Sequence, residues 1–561
     1  MAFFGLSDPL LIGMSTAAVA SLAFYVAFAA GQFNLAQAGF MAIGAYSVAV
    51  ATTSGQNVML GVTVGILASA ILGGLLSLIT SRLAGVYLAI ATLSFVQVVE
   101  QVIYLTPALN GPMGIYGIPL VLGATECVLL LGVIAFLISL LMRSQIGYEM
   151  RILREDPVVA RGVGVNETRI RVFSGVATAV IAAIAGTMKA LTTSYISPDE
   201  FSFGLLIQIL SFAVIGGTDR FWGPIVGTVV LVMLPEYTRA FQEYRMVLTG
   251  VIIVGVIVLF PEGIAGALLR VHQISRKWLG STVSGKPARS LSHESMASPT
   301  RFVVRGEANV FRGINLKRHF GGVTAVDDVG IELSSGVVHG LIGPNGAGKS
   351  TLVDLLSGEQ PTATGKVYLD GVDITAMSAS ERTRLGIVRT FQHTRVTQNI
   401  TAREVVFSGC LIAARPGSLG FMLWLPKSRA AYRDAMLQAD KILERLDLSD
   451  AASRYVRDLG WEEQRRLEVA RAIALRPRVL LLDEPTAGMH ASSLPPFARL
   501  VRSLADDGMA ILLIEHNVPF IRSTVDQLYA MDSGRMIASG RSEDVLVDKA
   551  VIDSYLGVRG E

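Results

Sequence analysis

Three clusters of side chains have the types and order needed to handle a nucleotide. The first is Gly343-Pro344-Asn345-Gly346-Ala347-Gly348-Lys349-Ser350-Thr351. Its glycines let backbone N–H groups close around phosphate oxygens, and the following helix N-terminus adds a favourable dipole. Lys349 is expected to reach the β- and γ-phosphates, and Ser350 to hold Mg²⁺. The second cluster is Asp483-Glu484, which follows Val479-Leu480-Leu481-Leu482. Asp483 suits Mg²⁺, directly or through water, and Glu484 suits polarising an attacking water as general base. A surface acidic pair would rarely follow four large aliphatics. The third is Glu515-His516, after the apolar run 510–514. From a strand end, His516 can contact a γ-phosphate.

These side chains work only if strands and helices position them. Residues 336–342 read as a strand feeding the loop, and 349–356 read as the helix that opens from it. That flanking context distinguishes a phosphate loop from a chance glycine-rich turn. A βαβ rhythm is expected from about residue 310. The second half is therefore predicted to be an α/β P-loop NTPase.

The first half reads differently. Across 561 residues the mean hydropathy is +0.52 and only 17% of residues are charged. Most of the charge lies after about residue 270, so the first half is apolar enough for lipid. Spans are expected near 10–30, 58–79, 83–105, 120–141, 173–190, 203–215 and 247–260. Shorter pieces at 38–51 and 224–234 are either spans or re-entrant segments, giving about eight in all. Gly61, Gly65, Gly73 and Gly74 are candidates for close helix approach. Gln32, Asn34, Gln37, Gln97, Glu100, Glu126 and Lys189 are polar interruptions that should face a bundle interior, a cavity or a span end. The start of the chain lacks a basic run, so the first apolar stretch is expected to be a retained span.

Orientation follows from Arg and Lys. Arg143, Arg151, Arg154, Arg161, Arg169 and Arg171 crowd one interspan segment, which should face the cytoplasm. Loops 106–117 and 193–200 carry neither residue and fit the outside. Within the charged segment, Pro157 suits a helix start and Gly164 a helix end. This short helix is expected to dock on an ATPase. The net charge of +3 gives no argument for nucleic acid as a partner, and two cysteines, Cys127 and Cys410, give none for a disulfide framework or a metal site. The expected division is a membrane domain over 1–270, a Ser-rich tether over 271–309 and a nucleotide domain over 310–561. A nucleotide site fused to a multi-span domain, with membrane lipid as its surroundings, implies ATP-driven work across a bilayer.

The order of the phosphate loop, Gln392 within Arg389-Thr390-Phe391-Gln392, the acidic strand and His516 resembles the ATPase domain of ABC transporters. The resemblance implies a RecA-like core with a helical subdomain inserted between Gln392 and about Arg476. It implies ATP and Mg²⁺ as cofactors, Phe320 as the adenine-stacking aromatic and Gln392 as the residue coupling Mg²⁺ and water to the membrane domain. Asp483, Glu484 and His516 would be the Walker B aspartate, catalytic glutamate and switch histidine. The first half is similar to permeases of branched-chain amino acid importers. The matching pieces are Gly31-Gln32-Phe33-Asn34-Leu35-Ala36-Gln37-Ala38-Gly39-Phe40, Gly44-Ala45-Tyr46, Gly85-Val86-Tyr87, Arg154-Glu155-Asp156, Ser197-Pro198, Gly216-Gly217 and Pro261-Glu262-Gly263.

That similarity implies import of branched-chain or other hydrophobic amino acids in the bacterial inner membrane, with the ATPase cytoplasmic. It also implies a second permease, a second ATPase with an intact signature and an extracytoplasmic substrate-binding protein. Urea or short amides are the alternative cargo. An exporter half and a non-transporting ATP-dependent regulator are the alternative functions. One stretch departs from the pattern: where the family signature reads Leu-Ser-Gly-Gly-Gln, this chain has Leu459-Gly460-Trp461-Glu462-Glu463. The family pairs its ATPases head to tail, each signature capping the partner's ATP. Two glutamates there would bring negative charge towards phosphate, so an asymmetric motor is expected.

Overall fold

The computed structural model describes residues 7–237, 250–251, 254–255, 258–260, 263–267, 310–390, 400–414, 420 and 425–556. The chain divides into two compact units, Met1–Arg154 with Glu167–Glu294, and Glu155–Asn166 with Ser295–Glu561. The expected tether at 271–309, and half of the expected span at 247–260, lie outside the described residues.

The first unit is helical. Its helices are α1 (Asp8–Ala29), α2 (Gln37–Thr53), α3 (Val58–Thr80), α4 (Val86–Leu105), α5 (Ala124–Arg143), α6 (Gln145–Glu155), α8 (Glu167–Thr192), α9 (Phe203–Gly216) and α10 (Gly223–Tyr237). Helix α7 (Pro157–Gly162) belongs to the second unit. Six helical segments among the described residues are long and apolar enough to cross a membrane, against about eight expected. The difference lies in α2 and α10, which are shorter than a full span, and in 247–260, which is only partly described. Helix α2 is buried along most of its length, packed on α3 and α8. Its apolar residues therefore serve the bundle interior.

Helices α3, α4 and α5 present Ile71, Leu78, Val98, Val102, Leu129 and Phe136 outward. Such side chains are stable outside only against lipid or another apolar surface. Inside, small residues set the spacing. A Cβ on Gly61 would lie 2.8 Å from Val48 Cα, and one on Gly73 would lie 2.5 Å from Ala179 Cβ. Gly74 has ordinary room and plays no such part.

The polar interruptions are largely explained locally. Gln32 donates to the Arg171 carbonyl at 3.3 Å and accepts from Ser174 Oγ at 2.9 Å. Asn34 Oδ1 accepts from Ala36 N, and Gln37 Nε2 donates to the Asn34 carbonyl, both at 2.8 Å. Glu126 caps the start of α5 by accepting from Gly123 N at 2.9 Å. Lys189 pairs with Glu200 at 2.7 Å. The two loops without Lys or Arg meet through an antiparallel pair, β1 (Ile115–Tyr116) with β2 (Tyr195–Ile196), which places them on one side of the bundle.

The second unit begins differently from the expected βαβ rhythm. Its first strands, β3 (Val310–Phe320) and β4 (Val323–Ser334), form an antiparallel hairpin. They join β6 (Thr364–Leu369) and β7 (Val372–Asp373) in a four-stranded sheet ordered β4-β3-β6-β7. Alternation along β4 (buried Val326, Val329, Ile331 and Leu333) fits a sheet with one buried face.

The parallel core starts one strand later. It contains β5 (Val338–Ile342), β8 (Ile387–Arg389), β9 (Val479–Asp483), β10 (Ala510–Ile514) and β11 (Gln527–Asp532), with β12 (Arg535–Arg541) antiparallel at one edge. The order is β12-β11-β5-β10-β9-β8. Strands β5, β9 and β10 are buried at every position, as parallel strands covered on both faces must be. The remaining helices are α11 (Lys349–Ser357), α12 (Ala379–Arg384), α13 (Ala402–Ala414), α14 (Pro426–Arg445), α15 (Trp461–Ala474), α16 (Leu494–Asp506), α17 (Val518–Thr524), α18 (Ser542–Val545) and α19 (Lys549–Leu556). Helices α13, α14 and α15 pack together as an insertion between β8 and β9. The fold is a multi-span helical domain fused to an α/β unit with a helical insertion.

Candidate nucleotide site

Three neighbouring parallel strands bring the three chemical clusters together. Strand β10 lies between β5 and β9, with Ile514 opposite both Leu341 and Asp483. The carboxyl ends of these strands therefore fall level, and each runs into one cluster. Ligands of open α/β sheets bind at such ends.

The loop after β5 is shaped by its glycines. Gly343 has φ 150°, and a Cβ there would lie 2.1 Å from the Met531 carbonyl oxygen. Gly346 and Gly348 have φ 84° and 93°, in the left-handed region that favours glycine. Helix α11 then opens with no side-chain cap and no acidic residue in its first turn. Its free N–H groups suit an anion. Lys349 is buried and donates to the carbonyls of Gly343 at 2.8 Å and Pro344 at 2.9 Å. Burial pushes its pKa down, opposed by the charges of Glu484 and Asp483. A bound phosphate would compensate that ammonium directly.

Asp483 ends β9, buried. Its Oδ2 accepts from Arg389 at 3.0 Å, and Arg389 also pairs with Asp354. Burial raises the Asp483 pKa, and the Arg389 charge and hydrogen bond oppose this. A cation that needs the ionised carboxylate would therefore lose Asp483 at a higher pH than it would lose a solvated aspartate. Glu484 sits at φ 46° with its N–H donating to Ile514 O at 3.0 Å. Its Oε1 is 2.8 Å from His516 Nε2. The expected base and histidine are thus in direct contact. Glu515 locks the turn between them: it accepts from Thr486 N at 2.8 Å, Thr486 Oγ1 at 2.7 Å and His516 N at 3.2 Å.

The donor set fits Mg²⁺. Ser350 offers an exposed hydroxyl and Asp483 a carboxylate, both hard oxygens. No group of three or more His, Cys, Asp or Glu that could hold a metal occurs among the described residues. Gln392 lies outside the described residues. Phe320 ends β3 half-exposed, with the Arg318 guanidinium 4.9 Å from its ring centroid. No hydrogen bond or ring contact joins Phe320 to the phosphate loop among the described residues.

Several side chains escaped sequence reasoning. Arg465 on α15 is 1% exposed, pairs with Glu468 at 2.9 Å and donates to the Asp483 carbonyl at 2.8 Å. It also donates to the Glu484 carbonyl, so it holds the strand end that carries both carboxylates. Within Gln464-Arg465-Arg466, nothing in composition says which arginine turns inward. Arg382 on α12 donates to the carbonyls of Leu355 at 2.7 Å and Leu356 at 2.9 Å, in the last turn of α11. It thereby satisfies carbonyls that the end of α11 would leave open.

The deviant stretch is fully engaged. Glu463 accepts from Gly460 N at 2.7 Å and pairs with Arg454 at 2.7 Å. Glu462 accepts from His490 N at 2.6 Å and Ser493 Oγ at 3.0 Å, which hold its carboxyl below the usual range. Trp461 Nε1 donates to the Ala487 carbonyl at 3.1 Å. All three side chains bind this chain's own backbone.

Helix α7 also meets the ATPase unit to which it belongs. Asp156 caps its start, accepting from Val158 N at 2.7 Å, and Pro157 occupies the first turn. Arg161 pairs with Glu359 at 3.3 Å. Thr383 and Arg384 of α12 donate to the carbonyls of Gly162 at 3.3 Å and Gly164 at 3.0 Å.

Two family models match the chain. Residues 8–257 match the permease component of branched-chain amino acid transport systems, and residues 326–487 match the ABC transporter family. The high-affinity branched-chain amino acid transport ATP-binding protein LivG of Salmonella typhimurium is 34% identical over 243 residues, 43% of this chain and 95% of that protein. The chain belongs to the ABC transporter family. It is a branched-chain amino acid type permease fused to its ATPase. The probable LivG of Methanocaldococcus jannaschii is 34% identical over 263 residues, 45% of this chain and all of that protein. A nucleotide-free ATP-binding cassette of known structure is 32% identical, covering 45% of this chain and all of that one, with a TM-score of 0.39. This ABC transporter chain is a membrane-embedded, ATP-binding enzyme whose ATP hydrolysis is coupled to transport.

Proposed function

We propose that this chain imports branched-chain or other hydrophobic amino acids, as one half of an ABC importer in the bacterial inner membrane. A second permease, a second ATPase with an intact signature and an extracytoplasmic binding protein complete the assembly. This reading includes a membrane domain over 1–270, a tether over 271–309 and a nucleotide domain over 310–561, with 155–166 grouped with the nucleotide unit. The observation that carries the reading is the docking of α7. A segment bounded on both sides by permease helices is seated on α12, and Arg382 of α12 grips the end of the phosphate-loop helix.

ATP binds with its phosphates on the 343–351 loop and Phe320 against the adenine. Mg²⁺ would be held by Ser350, Asp483 and Gln392, supplying charge neutralisation at the phosphates. Lys349 orients the β- and γ-phosphates. Glu484 takes the proton of the attacking water, and His516 fixes the carboxylate that does so. Closure of the ATPase pair moves α12 and α7, which switches the opening of the membrane path. The signature side works differently. The Gly460 amide is already taken by Glu463, so this chain caps its partner's ATP poorly.

The test is uptake of labelled Leu, Ile or Val by proteoliposomes holding the cognate subunits. ATP turnover should rise with the loaded binding protein and uptake should follow. Turnover without movement of any solute would refute import, and outward movement would indicate an exporter.

A further inference from the structure

The last described helix brings a side chain to the nucleotide site that no motif marks. Tyr555, on α19, accepts the N–H of Gly343 on its hydroxyl oxygen at 2.9 Å. Gly343 opens the phosphate loop, and its carbonyl accepts from Lys349 at 2.8 Å. One residue of the loop is therefore held at both of its polar groups, by a lysine within the loop and by a tyrosine 212 positions away. Tyr555, His516, Gly343, Pro344 and Asn345 line one cavity of about 320 Å³.

Helix α19 is built to carry that hydroxyl. Asp548 caps its start by accepting from Ala550 N at 2.8 Å, and Val551 is buried against the body of the unit. Tyr555 itself is 48% exposed, so its placement reflects the hydrogen bond more than core packing. Burial raises its pKa, with the Gly343 bond opposing. The phenol therefore stays protonated at neutral pH. Its oxygen is a neutral acceptor for Gly343, and its proton has no protein acceptor among the described residues.

A loop that wraps phosphate gains affinity when it is ordered before the ligand arrives, because less conformational entropy is lost on binding. We propose that Tyr555 is a positioning residue of the nucleotide site, fixing the phosphate loop in its receptive form through the Gly343 amide, so that the C-terminal helix sets ATP affinity. This rests on the chain being an ATP-binding subunit.

The test uses the full chain in lipid nanodiscs. ATP affinity is read by displacement of a fluorescent ATP analogue, turnover by phosphate release, and loop order by hydrogen exchange of the peptide spanning 338–348. Tyr555→Phe removes only the hydroxyl. It should weaken ATP binding and raise KM by about 2- to 10-fold, the effect of one neutral hydrogen bond. It should also speed exchange in that peptide while leaving kcat and the melting temperature unchanged. Deleting residues 549–561 should weaken ATP binding at least as much. Unchanged affinity and exchange in Tyr555→Phe would overturn the proposal, even if the deletion were damaging, since the helix would then act by packing alone. Failure of the wild-type chain to bind ATP would instead remove the nucleotide reading on which the proposal stands.

Discussion

Two helix N-termini in the ATPase unit are chemically opposite. Helix α11 starts after Gly348 with no side-chain cap and no acidic residue in its first turn, and Lys349 stands beside it. Helix α15 starts after Gly460 with Glu462 and Glu463 in its first turn, and Glu463 already occupies the first amide. Both ends carry the same dipole and the same first-turn N–H groups without intrahelical partners. One is kept open for a phosphate, whereas the other supplies its own anion. A helix start thus becomes a ligand site only where the sequence leaves its donors unpaired.

Arg465 ties α15 to the acidic end of β9, because it stands on that helix and holds the carbonyls of Asp483 and Glu484. Removing it breaks the buried pair with the Glu468 carboxylate. Arg465→Met should cost about 3–5 kcal/mol of unfolding free energy, the usual result of breaking a buried pair. Chemical denaturation checks this, and Arg465→Met with Glu468→Leu should recover much of the loss. A small effect in the single variant would mean that α15 and the acidic strand end are independent.

The open terminus is tested by Lys349→Met. Losing a charge-assisted contact to phosphate should weaken ATP binding by about 10- to 100-fold. Glu463→Gln should leave this chain's own ATP affinity unchanged, since that carboxylate serves the other helix. Equal losses would erase the contrast between the two ends.

The smallest expected effect concerns Glu462. Its folded-state pKa lies below its ordinary 4.5, first through the His490 N–H bond. Its stabilising contribution is present above 4.5 and is lost as pH falls through the depressed value. The stability difference between wild type and Glu462→Gln should therefore shrink on acidification below 4.5. A difference that grew on acidification would contradict the bonding described here.

Much of the site was legible because it is local. The loop, the Asp483-Glu484 pair and His516 each follow an apolar run, and each run is a buried parallel strand. The hairpin at 310–334 departs from the expected βαβ rhythm, because its place in an antiparallel sheet depends on pairing with β6, more than forty residues further on. The roles of Arg465, Glu515 and Arg382 are hidden from the sequence for a related reason. Their roles lie in contacts to backbone carbonyls and amides, which no side-chain pattern records. In the membrane unit the apolar runs gave helix positions well. They could not distinguish the short, buried α2 from a span, since an interior helix and a lipid-facing one share the same composition.

The central claim is that turnover depends on the site built from this chain's phosphate loop and not on the site its α15 would complete. In proteoliposomes with the cognate subunits, ATP hydrolysis should be measured for Glu484→Gln and, separately, for the matching glutamate variant of the partner ATPase. Glu484→Gln should lower turnover by about 10²- to 10⁴-fold, while the partner variant retains most of it. Equal losses from the two substitutions would contradict the account.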